Sequence, residues 1–346
     1  MSTRFLRHFF EPRSIAVIGA SEKPHSIGGI VIRNLQEAGF PGTLWAVNRK
    51  GYDSVFDQPC ASRISELPET PDLAVVCTPA ATLPKVISRL GRIGVKAALV
   101  LSGGAHLDDA EGDKGSIRER MLAAARESGI RVLGPECMGL IVPGRRINAS
   151  YSSQPVKAGK VAYLGQSGML GNAMIDWAAG RGIGFSHLIT VGDSVDVMLP
   201  DLIDYINQYA PTQAILLHLE RIQDSLHFMT ALRDASRHRL VLAIKSGRTP
   251  QSDLSGMPPT PGIANRDVVF EAAFSRAGVV RVNDSDELFD ALMTLSQMRP
   301  LKGDRLAIVS NGLGPAMLAI DKLVSAGGAL ASFSEATRRA LREGEF

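Results

Sequence analysis

Gly19 stands at the end of an apolar run, Ser14-Ile15-Ala16-Val17-Ile18, and Gly28-Gly29 open a segment whose apolar residues recur at helical spacing through Leu35. The loop between them, from Ala20 and Ser21 to Ile27, is polar. A strand, loop and helix in this order aim backbone N–H groups and the positive end of a helix dipole at one point, and a phosphate suits that point. The dinucleotide fingerprint sets its glycines closer together, as G-x-G-x-x-G, and carries an acid about twenty residues on for a ribose hydroxyl. Here the second apolar run, Thr43 to Val47, ends in Asn48-Arg49-Lys50. Two cations in place of the acid disfavour a free ribose diol. They suit an extra phosphate, either the 2′-phosphate of NADP or the 3′-phosphate of coenzyme A. The competing reading is a plain strand-to-helix turn followed by solvated basic residues.

Four more groups end apolar runs. Thr78-Pro79 follows the run from Asp72, and Ser102-Gly103-Gly104 follows Ala97 to Leu101. Gln166-Ser167-Gly168 follows Val161 to Leu164, and Glu220 follows Ala214 to Leu219. Thr78, Pro79, Ser102 and Gly103 belong beside Gly19, because ligands of a parallel sheet bind at the carboxyl ends of its strands. Ser167 is placed to cap the helix after it. Cys60, Cys77 and Cys137 are widely spaced and the seven histidines are scattered, so neither a disulfide framework nor a metal ligand set is expected.

The elements that must position these groups alternate. Strands are expected at 14–18, 43–47, 72–78, 97–101 and 130–133, with helices from about 28, 83–92 and 113–128 between them. A polar connector rich in proline and glycine, 134–160, reads as a domain boundary. The pattern then restarts, with strands at 161–164, 185–190, 214–219 and 240–244 and helices at 169–179, 199–209, 225–236 and 267–277. It begins a third time with a strand at 306–309 and a helix at 315–325. Such alternation gives parallel sheets covered by helices on both faces. The expected domains are 1–140, 141–300 and 301–346, the last a truncated start. A length of 346 residues fits two or three domains, and 45% hydrophobic residues is a globular composition. The small net charge of +3 and 5% aromatic residues give no reason to expect nucleic acid. No apolar run reaches a membrane span, so a cytoplasmic protein is expected.

In order, the stretches Ser14 to Ser21, Val47-Asn48-Arg49-Lys50, Gly134-Pro135-Glu136-Cys137-Met138-Gly139, Gly165-Gln166-Ser167-Gly168, Gly192-Asp193-Ser194-Val195-Asp196, Leu219-Glu220 and Lys245-Ser246-Gly247-Arg248 run the length of the chain. The set resembles the nucleoside-diphosphate-forming acyl-CoA synthetases, relatives of the succinyl-CoA ligase α subunit. It looks most similar to the synthetase-like front half of bacterial protein lysine acetyltransferases. The resemblance implies an α/β chain: a Rossmann-like CoA-binding domain, a flavodoxin-like succinyl-CoA-ligase-type domain, and the start of a third α/β domain. CoA or acetyl-CoA would lie against Gly19, Ala20, Ser21, Gly28, Gly29, Asn48 and Lys50. Gln166, Ser167 and Gly168 would present a helix start to a phosphoryl group, and Glu220 matches the acid that steadies a phosphorylated histidine. ATP or ADP would enter only through an ATP-grasp region. That region and a GNAT acetyltransferase region would act in cis or trans, and a homo-oligomer is expected.

The departures from the family pattern shape the functional expectation. Active members carry a phosphate-ferrying histidine in the loop after Lys-Ser-Gly-Arg, yet Thr249 to Arg266 contains no histidine. No Ser, Asp or Asn supplies equivalent phosphoramidate chemistry. Glu136 stands where Asn is usual and Gly165 where Ser is common. No catalytic residue is therefore expected, and the leading reading is a CoA- or acyl-CoA-binding regulatory region without ligase chemistry. A working ADP-forming ligase subunit and an NADP-dependent oxidoreductase stand behind it.

Overall fold

The computed structural model describes residues 3–104, 115–249, 252, 267–297 and 303–344. Residues 1–296 form one compact unit and 297–346 a second.

The first sheet is built from β1 (Ser14–Ile18), β2 (Thr43–Val47), β3 (Ser54–Val55), β4 (Gln58–Ala61), β5 (Leu73–Val76), β6 (Ala97–Val100) and β7 (Arg131–Leu133), in the order β3-β4-β2-β1-β5-β6-β7. β1, β5 and β6 are buried from end to end, because helices cover both faces of the sheet. Helix α1 (Arg7–Phe10) and α2 (Ile27–Glu37) bury Phe9, Phe10, Val31, Ile32 and Leu35 with Ile15 and Val17 on one face. Helix α3 (Leu83–Arg92) and α4 (Ile117–Ser128) bury Leu83, Ile87, Leu90 and Met121 with Ala16 and Val76 on the other. Ser116 and Glu119 form a capping box that starts α4, and Gly129 at φ +68° stops it.

The second sheet holds β8 (Gly139–Val142), β9 (Ile147–Ser150), β10 (Ala158–Gly165), β11 (Phe185–Thr190), β12 (Ala214–Leu219), β13 (Leu240–Lys245) and β14 (Val280–Val282), in the order β14-β13-β12-β10-β11-β8-β9. Helices α5 (Gly168–Ala179), α6 (Leu199–Asn207), α7 (Ser225–His238), α8 (Asp267–Ala277) and α9 (Ser285–Gln297) alternate with its parallel strands.

Two expectations are corrected here. The connector 134–160 contains the buried antiparallel hairpin β8–β9, whose short apolar stretches Leu140-Ile141-Val142 and Ile147 extend the second sheet. The sheets are mixed rather than purely parallel: β3 runs antiparallel to β4, and β8 antiparallel to β11.

The two sheets are tied by main chain. The Asp193 amide donates to Pro135 O at 2.9 Å, Val195 to Gly134 O at 3.2 Å and Val197 to Val132 O at 3.0 Å. Asn34 on α2 donates from Nδ2 to the Ser150 and Ser152 carbonyls, each at 2.8 Å. Arg131 Nε meets Asp196 at 2.9 Å, and Asp193 lies between Arg118 at 3.1 Å and Arg221 at 3.6 Å.

The second unit comprises β15 (Arg305–Leu306), α10 (Leu313–Ser325), β16 (Ala329–Leu330) and α11 (Glu335–Glu343), with its two short strands parallel. The expected strand at 306–309 is paired only at Arg305–Leu306, and none of the unit's described residues is buried.

Candidate functional site

In the first sheet the connections leave β1 in opposite directions, toward β2 on one side and β5 on the other. The switch point therefore lies at the carboxyl ends of β1 and β5. Gly19 sits there at φ +94°, and a Cβ on it would meet Cys77 O at 3.0 Å and Thr78 Cγ2 at 3.1 Å. The start of α2 folds up beneath the same loop. A Cβ on Gly28 would come within 2.4 Å of Gly19 O, and one on Gly29 within 2.3 Å of Ser21 O. Only glycine lets helix and loop backbone approach this closely. Ser26 fixes the junction, donating to Ser21 O at 2.7 Å and accepting from the Gly29 amide at 3.2 Å. Ile27 and Gly28 occupy the turn where a helix leaves its N–H groups without helical carbonyls.

Asn48 braces this loop. Its Nδ2 donates to Ala20 O, and its Oδ1 accepts from the Lys50 amide at 3.0 Å, which leaves the exposed Lys50 ammonium beyond the strand end. The sequence reading missed the β3–β4 turn as part of the site. Phe56 N donates to Glu22 Oε1 at 2.7 Å, and the Phe56 ring lies 3.2 Å from the Gly29 Cβ position.

Further along the edge, buried Ser102 donates to Thr78 O, and Thr82 Oγ1 donates to Thr78 Oγ1 at 2.9 Å. Pro79 is exposed at the crevice rim beside them. The Gly104 amide donates to Glu136 Oε1 at 2.6 Å, with Gly103 against the same carboxylate. Glu136 holds φ +60°, a left-handed conformation uncommon outside glycine and asparagine. Burial pushes the thiols of Cys77 and Cys137 up, Cys137 to about 12, which disfavours the thiolate at both.

The second sheet has its own switch point, between β10 and β12. Gln166 spans it, accepting on Oε1 from the Glu220 and Arg221 amides at 2.6 and 2.9 Å. Ser167 caps α5 by accepting from the Leu170 amide at 3.3 Å. Gly168 lets the helix start lie against Tyr151 and Met138. Glu220 is exposed at the strand end. Gly165 is explained by Tyr163: a Cβ at 165 would lie 2.5 Å from the Tyr163 hydroxyl, which fills the space of a side chain there. That hydroxyl is buried without a hydrogen-bond partner, and burial, with Glu220 second, pushes its pKa up.

His218 is paired with Gly165 across the strands. It is buried within β12, its Nε2 2.8 Å from Ser246 Oγ, and burial followed by the Lys245 charge pushes its pKa down to about 4. A neutral imidazole locked into a central strand cannot swing between sites. Of the segment 249–266, only Thr249 and Ser252 fall among the described residues.

Two joined α/β sheets, the first with a close glycine-built strand–loop–helix turn at its switch point, have the architecture of a Rossmann-like domain followed by a flavodoxin-like domain. Family models agree, with a CoA binding domain matching residues 13–143 and a succinyl-CoA ligase like flavodoxin domain matching 158–295. The chain belongs to the nucleoside-diphosphate-forming acyl-CoA synthetase family, on its α-subunit-like side.

It is 33% identical over 319 residues to the α subunit of ADP-forming acetate–CoA ligase I from Pyrococcus furiosus, covering 91% of this chain and 69% of that subunit. It is 31% identical to ADP-forming acetate–CoA ligase I from Archaeoglobus fulgidus, covering 98% of this chain but only 48% of that longer protein. The solved dinucleotide-forming acetyl-coenzyme A synthetase 1 of Ca. Korarchaeum cryptofilum, in complex with phosphate and ADP, superimposes with a TM-score of 0.90 at 30% identity. That match covers 99% of this chain and 73% of the other. No described helix is long and apolar enough to cross a membrane.

Proposed function

We propose that this chain binds CoA or an acyl-CoA in the crevice of its first sheet and has lost the phosphoryl relay of its family, so that the thioester acts as an effector. The observation that carries this reading is the absence of histidine from residues 249–266. A phosphoramidate carrier needs a mobile imidazole, and His218 is fixed in its strand by burial and Ser246. Gln166 and Ser167 keep the α5 start in order, but their polar groups serve the fold.

The resemblance to the front half of bacterial protein lysine acetyltransferases extends the proposal. This region would regulate a GNAT acetyltransferase, with an ATP-grasp region in cis or trans as the only route to ATP or ADP. Acyl-CoA would act through differential affinity for two conformations or assembly states, including a homo-oligomer.

Calorimetric titration with CoA, acetyl-CoA, NAD and NADP tests the ligand: the CoA species bind and NAD does not. Equal binding of NADP and CoA would favour the oxidoreductase. Incubation with ATP, phosphate, acetyl-CoA and an ATP-grasp partner tests the relay, and no acid-labile phosphohistidine is expected. The names of the relatives favour a second reading, a working ADP-forming ligase subunit. Labelled phosphate retained on the protein, released by acid and lost when Glu220 is replaced, would establish it.

A further inference from the structure

Along the carboxyl edge of the first sheet, β1, β5, β6 and β7 are consecutive neighbours. Three inter-strand steps separate the cradle at Gly19 from the residues that follow β7, a span of about 14 Å. The pantetheine arm of CoA has about twelve bonds between pyrophosphate and sulfur, equivalent to about four residues of extended backbone or about 14 Å. An arm laid along this edge from the cradle therefore ends beside Gly134-Pro135-Glu136. Glu136 occupies that place with its carboxylate fixed, because Gly104 N donates to Oε1 at 2.6 Å and its own amide donates to Ser102 O at 3.1 Å. It does so at φ +60°, where Asn or Gly fits with less strain, so the carboxylate is held in a conformation its backbone does not favour. The adjoining carboxylate, Asp193, is engaged by Arg118 and Arg221.

We propose that Glu136 is a specificity-determining residue at the acyl end of the CoA crevice, selecting neutral acyl groups and rejecting acyl groups that end in a carboxylate. The inference rests on the CoA-binding reading of the crevice. A second carboxylate about 6 Å from Glu136 weakens binding about threefold at the dielectric of water and about a hundredfold at that of a protein surface, and about tenfold lies between the two. The background set by Arg118, Arg221 and Asp193 is common to wild type and variant and cancels in their comparison.

The test is calorimetric titration of CoA, acetyl-CoA and succinyl-CoA against the wild-type chain and Glu136→Gln. The amide Oε1 of Gln still accepts from Gly104 N, and a urea titration checks that the variant is folded. The ratio of succinyl-CoA to acetyl-CoA Kd is expected to fall about tenfold in Glu136→Gln, each measured against free CoA in the same protein. Glu136→Asn, which suits the left-handed backbone, should show the same loss of discrimination and covers the case in which Gln misfolds. An unchanged ratio with CoA still bound overturns the role of Glu136 and leaves the crevice reading standing. No binding of CoA to the wild-type chain overturns both.

Discussion

Gly28→Ala probes the cradle most directly. The added Cβ would lie 2.4 Å from Gly19 O, 2.9 Å from Gly19 C and 3.0 Å from Ala20 Cα, all of them backbone atoms. Ordinary contact starts at 3.4 Å, so the loop has to withdraw by about 1 Å. Overpacking of this kind costs about 1–3 kcal/mol, against about 1 kcal/mol that alanine contributes in a helix, so the fold loses at most about 2 kcal/mol. Ligand binding suffers more. An amide that sat at bonding distance from a phosphate moves about 1 Å away, and a charge-assisted hydrogen bond of about 1.5–3 kcal/mol goes with it. Kd for CoA is then expected to rise roughly ten- to hundredfold. Dephospho-CoA should lose as much, since the proposed reading sets the glycine turn against the pyrophosphate, which both ligands share. Isothermal titration gives the affinities and urea denaturation confirms the fold. Gly314→Ala, where a Cβ meets nothing within 4 Å, is the control and should leave affinity unchanged. A folded Gly28→Ala variant that binds CoA as tightly as wild type would refute the cradle.

Other perturbations reach different parts of the molecule. Lys50→Ala should weaken CoA binding by about 1–3 kcal/mol and abolish the preference over dephospho-CoA; equal loss for both ligands would place Lys50 elsewhere than the 3′-phosphate. Tyr163→Phe removes a buried hydroxyl without a partner and should raise stability by about 1 kcal/mol. Gly165→Ser should destabilise the wild-type chain, because the added Cβ would lie 2.5, 2.7 and 2.8 Å from Tyr163 Oη, Cζ and Cε1. Tyr163→Phe keeps the two ring carbons and should not rescue it, whereas Tyr163→Ala should, and additive effects in the Gly165→Ser/Tyr163→Ala cycle would count against the crowding seen in the structure. His187 and His218 are both held near pKa 4 by burial, with Arg145 and Lys245 as second causes. The unfolded chain binds more protons than the native one below pH 6.5. Stability should therefore be full above that pH and fall by up to about 1.4 kcal/mol per pH unit for each histidine down to about pH 4. Urea titrations across that window check it, and a flat profile contradicts neutral buried imidazoles.

Much of the frame was readable from the sequence because its strands are uniformly apolar and its helices strictly periodic. Leu83, Val86, Ile87 and Leu90 announce α3, and the runs at 185–190 and 214–219 coincide with β11 and β12. The hairpins were harder to see. The β3–β4 turn places Phe56 and Asp57 at φ +49° and +61° without the Asn-Gly or Asp-Gly pair that usually signals such a turn. Strands β8 and β9 have only four residues each, flanked by prolines and glycines that dominate a local reading. At the site, glycine spacing predicted where the backbone comes close. It could not reveal what Asn48, Ser102 and Gln166 do with their polar groups, because their partners Ala20, Thr78 and Glu220 are fixed by tertiary packing.

The main-chain ties between the sheets have a thermodynamic consequence. Gly134 and Pro135, which follow the last strand of the first sheet, accept the amides of Val195 and Asp193 from the second sheet, so neither sheet keeps its edge intact when the other unravels. A ligand that binds only the native first crevice stabilises by RT ln(1 + [L]/Kd), and that gain should be shared by both sheets. CoA would then protect slowly exchanging amides of β12 and β13 as effectively as those of β1 and β5, although it touches none of the former. The second sheet thus serves as a distant gauge of occupancy in the first.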